Sequence, residues 1–392
     1  MKTLKERLIV SNYKKCIFLF ILFISAGFAR DSFVLRDYDK KIVNLSSVRK
    51  VFRKYKKDLL IGNLRDFVRC CSPNRMVGTV SHAKAAPWLI DRIKSIDSNS
   101  LLYIDEFSPD VDHAISLYEK DFQRQIAGNY PKESQMYKKW NNFTNSMTAH
   151  MEKLRTVKGK NIIWEKKGSI SPKDVIILGA HYDTVAFDKE SLRIDLTSKQ
   201  PGADNNATGV AALLSLIEVL SSVDLPKTVR IVFFDYQEFG FLGSRAFVQK
   251  YKETLEKEKF AGFVNLLMLG HDTKSSDKNN RFNNFKIYIR STDDPKHGKD
   301  LKLANLLKKS GDRAQSGMKF DIEANSFNSS DHINFWDESF AALTFSQNWE
   351  DDFNHSRNHT SNDFVETLNF KSLYGSFQYI GVSTLAWAYD VF

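Results

Sequence analysis

Three polar blocks between Leu178 and Ser244 constrain the fold of this chain more than any other stretch. They are Gly179-Ala180-His181-Tyr182-Asp183-Thr184, Gly202-Ala203-Asp204-Asn205-Asn206-Ala207 and Phe233-Phe234-Asp235-Tyr236-Gln237-Glu238-Phe239-Gly240. Each sits at the exit of an apolar run, where an α/β sheet presents polar side chains to a crevice. The run Asp174-Val175-Ile176-Ile177-Leu178-Gly179-Ala180 has no polar alternation, which predicts a strand buried on both faces. Thr228-Val229-Arg230-Ile231-Val232-Phe233-Phe234 predicts a second central strand. Between them, Val210, Leu213, Leu214, Ile217 and Leu220 make one helical stripe, with Asn205 or Asn206 as its cap.

The rest of the chain continues the alternation. Residues 262–269, 285–289 and 341–345 read as further strands, and residues 160–165 as an edge strand before the turn at Lys167-Gly168-Ser169. Ala83, Ala86, Leu89, Ile90 and Ile93 share a helical face, and Ser81 can cap that helix. Residues 301–307 and 370–389 are also helical in pattern. Ile115-Ser116-Leu117 and residues 147–154 suit either helix or strand. The expected architecture is α/β in three layers: a mixed, mostly parallel central sheet with helices on both faces. No repeat or low-complexity linker divides it, so residues 55–392 form one expected domain, preceded by an arm or first helix over residues 30–54.

The first 29 residues read as an export signal. Lys14 and Lys15 precede the apolar run from Cys16 to Ala26, and Gly27-Phe28-Ala29 supplies small residues for cleavage. That run is shorter than the ~20 residues of a spanning helix. The expected location is periplasmic or secreted, with membrane contact only through this segment if it stays uncleaved. Cys70 and Cys71 are the remaining cysteines; adjacent cysteines bridge only under strain, so no disulfide framework is expected. The net charge of +10 suits solubility or an anionic partner. No Arg/Lys stripe interleaves with aromatics, so no nucleic-acid partner is expected.

Taken singly, the polar blocks are ordinary. His181 and Asp183 point to one side of a strand, as i and i+2 do, and alone suggest a core histidine held by a carboxylate. Asp204 alone is a helix cap, Glu238 a solvated charge and His359 a loop histidine. Together they supply the imidazole and carboxylate groups that bind zinc.

Their combination and order resemble the di-zinc aminopeptidase family, family 28 of the metallopeptidases, which also contains glutaminyl cyclases and inactive receptor relatives. The resemblance runs from about Arg75 to the C-terminus. It rests on Arg75-Met76-Val77-Gly78, the three blocks, Phe241-Leu242-Gly243-Ser244-Arg245-Ala246, Ser330-Asp331-His332 and His359-Thr360. It implies a zinc exopeptidase-like fold acting on a peptide or protein substrate. It further implies His181 as a ligand of a first zinc, Asp183 as the carboxylate that orients it, Asp204 as the bridge between two zincs, Glu238 and His359 on the second zinc, and Asp331 lining the substrate site. Metal-activated water would attack a peptide bond, with a carboxylate shuttling its proton.

Two positions depart from the family pattern. Gln237 stands where the family has the glutamate base, and Leu267, in Asn265-Leu266-Leu267-Met268-Leu269-Gly270, where it has an aspartate ligand. His271 or Asp272 is a possible substitute ligand. One zinc site is therefore expected and the second is in doubt. Three functions follow: an exported aminopeptidase-type zinc hydrolase, a catalytically degenerate relative that binds peptide or protein, and a single-zinc acyltransferase of the cyclase type. Phe335, Trp336, Phe345 and Trp349 are candidates for an apolar substrate wall or for core.

Overall fold

Eight strands form one sheet in a computed structural model that describes residues 32–271, 284–327 and 329–392. The strands are β1 (Leu101–Phe107), β2 (Gly159–Lys166), β3 (Ser171–His181), β4 (Lys227–Phe234), β5 (Lys259–Leu266), β6 (Asn284–Ile289), β7 (Lys319–Ala324) and β8 (Ala342–Ser346). Their order is β1-β2-β4-β3-β5-β8-β6-β7. The four middle strands β4, β3, β5 and β8 are parallel. β2 and β6 join antiparallel on either side, followed by β1 and β7. The expected mixed, mostly parallel three-layer α/β fold is present.

The apolar runs explain the centre. From Val175 to His181 every residue of β3 is buried, as a strand covered on both faces requires. One face meets helix Leu242–Lys257, where Phe247, Val248 and Leu255 join Ile177, Phe234, Phe263 and Phe335 in one cluster. Helix Thr208–Ser221 also packs on β3 and is buried along nearly its whole length. Each such fully buried large apolar side chain stabilises the fold by about 1.5–3 kcal/mol before entropy is counted.

Several expectations need correction. Residues 160–165 are not an edge: β2 is paired on both sides, and the edge is β1, with Leu101, Tyr103 and Ile104 exposed. Those exposed apolar residues hide the alternation of an edge strand. Both undecided stretches lie in helices, Val111–Phe122 and Gln135–Lys153. β7 was missed because its apolar Phe320 and Ile322 alternate with charges in so short a run. In the stretch read as an arm or first helix, Leu45–Lys54 is a helix closed by an Asn44–Ser47 capping box. Its Val48, Val51 and Phe52 are buried, and Phe52 meets Phe377 of helix Phe370–Tyr389 edge-on at 5.7 Å. Cys70 and Cys71 are joined by a disulfide. The export signal expected over residues 1–29 lies outside the described residues. Among the described residues no helix is long and apolar enough to cross a membrane.

Candidate functional site

His181 is the last residue of β3, so the sheet delivers it fully buried to the crevice. Its Nδ1 lies 3.2 Å from Asp183 O and 3.5 Å from Asp183 Oδ1. The Asp183 carboxylate in turn accepts the backbone N–H of Gln237 and of Glu238, both at 3.0 Å. One buried aspartate thus fixes both the imidazole and the short turn Gln237–Phe239 after β4. Burial alone would lower the His181 imidazolium, but the Asp183 hydrogen bond and charge, with Glu238 and Asp331, hold it above the ordinary value of 6.5.

Glu238 and His359 meet, with Oε1 and Nε2 3.1 Å apart. Burial opposes the Glu238 charge, yet His359 and His181 keep that carboxyl below its usual value. Burial likewise disfavours a charged His359, and the Glu238 carboxylate overcomes it, raising the imidazole.

Asp204 is not in this cluster. Its Oδ1 accepts Gly270 N and its Oδ2 accepts Asn354 Nδ2, each at 2.8 Å. Its own N–H donates to Asp363 Oδ1. It ties three loops together. The side chain that reaches the centre is Asn205, with Oδ1 3.1 Å from His181 Nε2 and Nδ2 3.0 Å from Glu238 Oε1 and 2.7 Å from His359 Nε2. The loop turns at Gly202, in the left-handed region at φ 57°, where a Cβ would stand 2.4 Å from Asn205 O. Only glycine fits there without displacing Asn205.

Gln237 sits at the cleft with its Oε1 buried and without a hydrogen-bond partner among the described residues. Leu267 lines the same cleft and offers no donor atom. His271 does not substitute for it: its ring nitrogens lie near Arg357 and Asp352, and it is absent from the cleft wall. Asp272 lies outside the described residues. Among the described residues no three His, Cys, Asp or Glu side chains are grouped to hold one ion. Among the described residues the donor set therefore does not fit a pair of zinc ions. For one ion it offers Glu238 and His359, and needs a third donor from another residue type.

The cleft has a volume of about 610 Å³. Leu117, Tyr118, Phe241, Leu267, Met268, Ile333 and Trp349 give it apolar walls, and Asn205, Gln237, Glu238 and His359 its polar ones. Of the four wall candidates only Trp349 is there. Phe335 stacks on Phe263 at 4.1 Å and Phe345 meets Phe320 in the core, while the half-buried Trp336 packs against that core and donates to Ala342 O. Sequence reading missed Arg75 as a support. It is fully buried, and its guanidinium donates to Tyr182 O, Pro201 O and Gly202 O.

Asp331 is fully buried, and among the described residues neither carboxyl oxygen has a hydrogen-bond partner. The nearby Ser244 hydroxyl donates to Phe241 O instead. Burial pushes the Asp331 carboxyl up to about 7 from 3.8, against the positive charge of His181 and with the help of Asp183 and Glu238. Below 3.8 the group is protonated in both folded and unfolded chains. Above that the unfolded chain releases a proton that the fold retains, so the contribution to stability is lost as pH rises through about 7. Asp331→Asn should flatten this fall, measured as denaturant midpoints from about pH 4 to 8. An unchanged pH profile would show that Asp331 does not carry it.

Residues 161–381, more than half of the chain, match the sequence profile of peptidase family M28. The aminopeptidase YwaD of Bacillus subtilis is 26% identical over 200 residues, 50% of this chain and 38% of that protein. A probable zinc metalloprotease of Pyrenophora tritici-repentis is 28% identical over 160 residues, 41% of this chain and 35% of that one. The chain thus spans little more than a third of these curated relatives. Among solved structures, the zinc aminopeptidase BSAP from Bacillus subtilis superposes with a TM-score of 0.60 at 16% identity, covering 84% of this chain and 94% of that one. At that identity the likeness shows a shared fold.

Proposed function

The chain belongs to peptidase family M28, and from that premise we propose that its cleft binds the free amino end of a peptide or protein while hydrolysing it weakly. Gln237 carries this reading: an amide stands where hydrolysis needs a proton acceptor. Its side-chain N–H can donate to a peptide carbonyl oxygen but cannot take a proton from water and return it. The lack of a positioned base lowers hydrolysis by about 10²–10⁴-fold. Leu267 removes a further acid from a place the family resemblance assigns to a ligand, and Asp204, assigned as the bridge, is engaged by Gly270 and Asn354. The Glu238 carboxylate on the cleft wall favours an ammonium group there, and Leu117, Leu267 and Ile333 suit an apolar first side chain.

A second reading, slow exopeptidase action with one zinc, is favoured by the intact Glu238–His359 pair. A bound zinc would supply carbonyl polarisation and an activated water. Asp183 would keep the turn bearing Glu238 in place through both backbone N–H groups. Cyclase chemistry gains no comparable observation, because Gln237 removes the acid it would share. Export to the periplasm or medium, by the signal over residues 1–29, is part of the proposal.

The test incubates the full chain, with zinc in solution, with an unblocked peptide and follows released amino acids by mass spectrometry. Retention of the peptide with little release is expected. Rapid stepwise release would make the chain an active aminopeptidase and overturn the first reading in favour of the second.

A further inference from the structure

Helix Val111–Phe122 lays one face along the cleft, and charge is ordered along that face. His113, Leu117, Lys120, Asp121 and Arg124 all line the cleft. They recur every three or four residues, so they form one stripe of the helix and of the turn Gln123–Ala127 that continues it. The middle of the helix is fastened to the turn that bears Glu238. The Tyr118 hydroxyl donates to Glu238 O, and a Cβ on Gly240 would stand 3.3 Å from Ala114 Cα and 3.5 Å from Leu117 Cδ2.

The two ends of the stripe differ. Near its start the charges of Arg245 and Asp337 both act on His113, and Arg245 lies 3.4 Å from Asp110, so cations and anions are mixed there. Near its end Lys120 and Arg124 are exposed, and among the described residues the Lys120 ammonium has no ion-pair partner. Arg124 meets Asp121 at 3.0 Å, with the side chains 67% and 49% exposed. A pair so open to water is weak, and the guanidinium keeps further N–H donors for a second carboxylate. With two cations against one anion, this end is net positive.

The spacing suits an extended peptide. A helix rises about 1.5 Å per residue, which puts Lys120 about 4 Å and Arg124 about 10 Å beyond Leu117 along the axis. An extended chain advances about 3.3 Å per residue, so a peptide with its amino end at Glu238 brings its third residue beside these cations. We propose that Lys120 and Arg124 form a subsite for a carboxylate at the third residue of the bound peptide, and so select acidic peptides. This rests on the reading that the cleft takes a free amino end. The carboxylate belongs to an acidic side chain or to the chain end of a tripeptide, and both present the same anion. The net charge of +10 attracts such peptides at longer range.

Titration calorimetry of the full chain with zinc tests this, using the amidated peptides Leu-Ala-Glu-Ala-Ala and Leu-Ala-Gln-Ala-Ala. The Glu peptide should bind about fivefold more tightly at low salt, and the preference should shrink as salt is raised. Lys120→Gln with Arg124→Gln should erase the preference, whereas Lys120→Arg should keep it. The tripeptide Leu-Ala-Ala, as free acid and as amide, separates the two sources of the anion: tighter binding of the acid assigns chain ends to the subsite. Equal affinities within both peptide pairs would overturn the proposal, and so would a preference that survives the double substitution. Binding without a carboxylate preference removes this subsite alone. No binding of any of the four peptides removes the proposed function and the subsite with it.

Discussion

Gln237→Glu should raise peptide hydrolysis by about 10²-fold or more, because it returns a proton acceptor beside the intact Glu238–His359 pair. The backbone at 237 and 238 is already held by Asp183, so the new carboxylate would start from a fixed turn. The side chain is buried and follows a backbone N–H bonded to Asp183, so burial and nearby negative charge would raise a carboxyl there toward the range of a working base. The readout is the rate of amino-acid release at saturating peptide, with zinc content counted in the same sample. An unchanged rate in a zinc-loaded variant would show that Gln237 is not the limiting substitution and that Leu267 or the rest of the pocket also limits.

Arg75→Met should be the most damaging change away from the cleft. Arg75 donates to Tyr182 O, Pro201 O and Gly202 O, and so holds the strand exit that carries His181 against the loop that carries Asn205. Its guanidinium also lies 4.9 Å from the Phe67 ring. Burial lowers it to about 10, opposed by Asp363, Asp183 and Glu238, so it stays charged at neutral pH. Methionine keeps much of the stem's packing but leaves buried carbonyls without their donor and nearby carboxylates without their cation. A loss of about 3–5 kcal/mol is expected in denaturant unfolding. A loss below about 1 kcal/mol would mean that water replaces the guanidinium at those carbonyls.

The sequence made the scaffold legible where one physical signal acts alone. Continuous apolar runs marked β3 and β4, and the helical stripe between them pointed to a mostly parallel sheet. His181 and Asp183 were readable as a pair because strand geometry sends i and i+2 to one side. The centre itself was not readable, since Asp204 and Asn205 are neighbours in an irregular loop. Which of them faces His181 depends on torsions set by Gly202 and on partners far along the chain. Asp363, Gly270 and Asn354 claim Asp204, and only their positions in space reveal it. Charge misled as well: the carboxylate was the natural ligand by type, yet the amide of Asn205 is the side chain beside His181, Glu238 and His359. The wall residues failed for another reason. Phe335, Trp336 and Phe345 are apolar enough for either a cleft or a core, and composition does not tell those environments apart.

The central claim is that the cleft retains peptide recognition after losing most of its hydrolytic chemistry. Titration calorimetry of the full chain with zinc, using one peptide with a free amino end and the same peptide N-acetylated, tests it most directly. Binding of the free peptide, its intact recovery afterwards, and much weaker binding of the acetylated form are the expected results. Equal affinity for both forms, or no binding of either, would contradict the account.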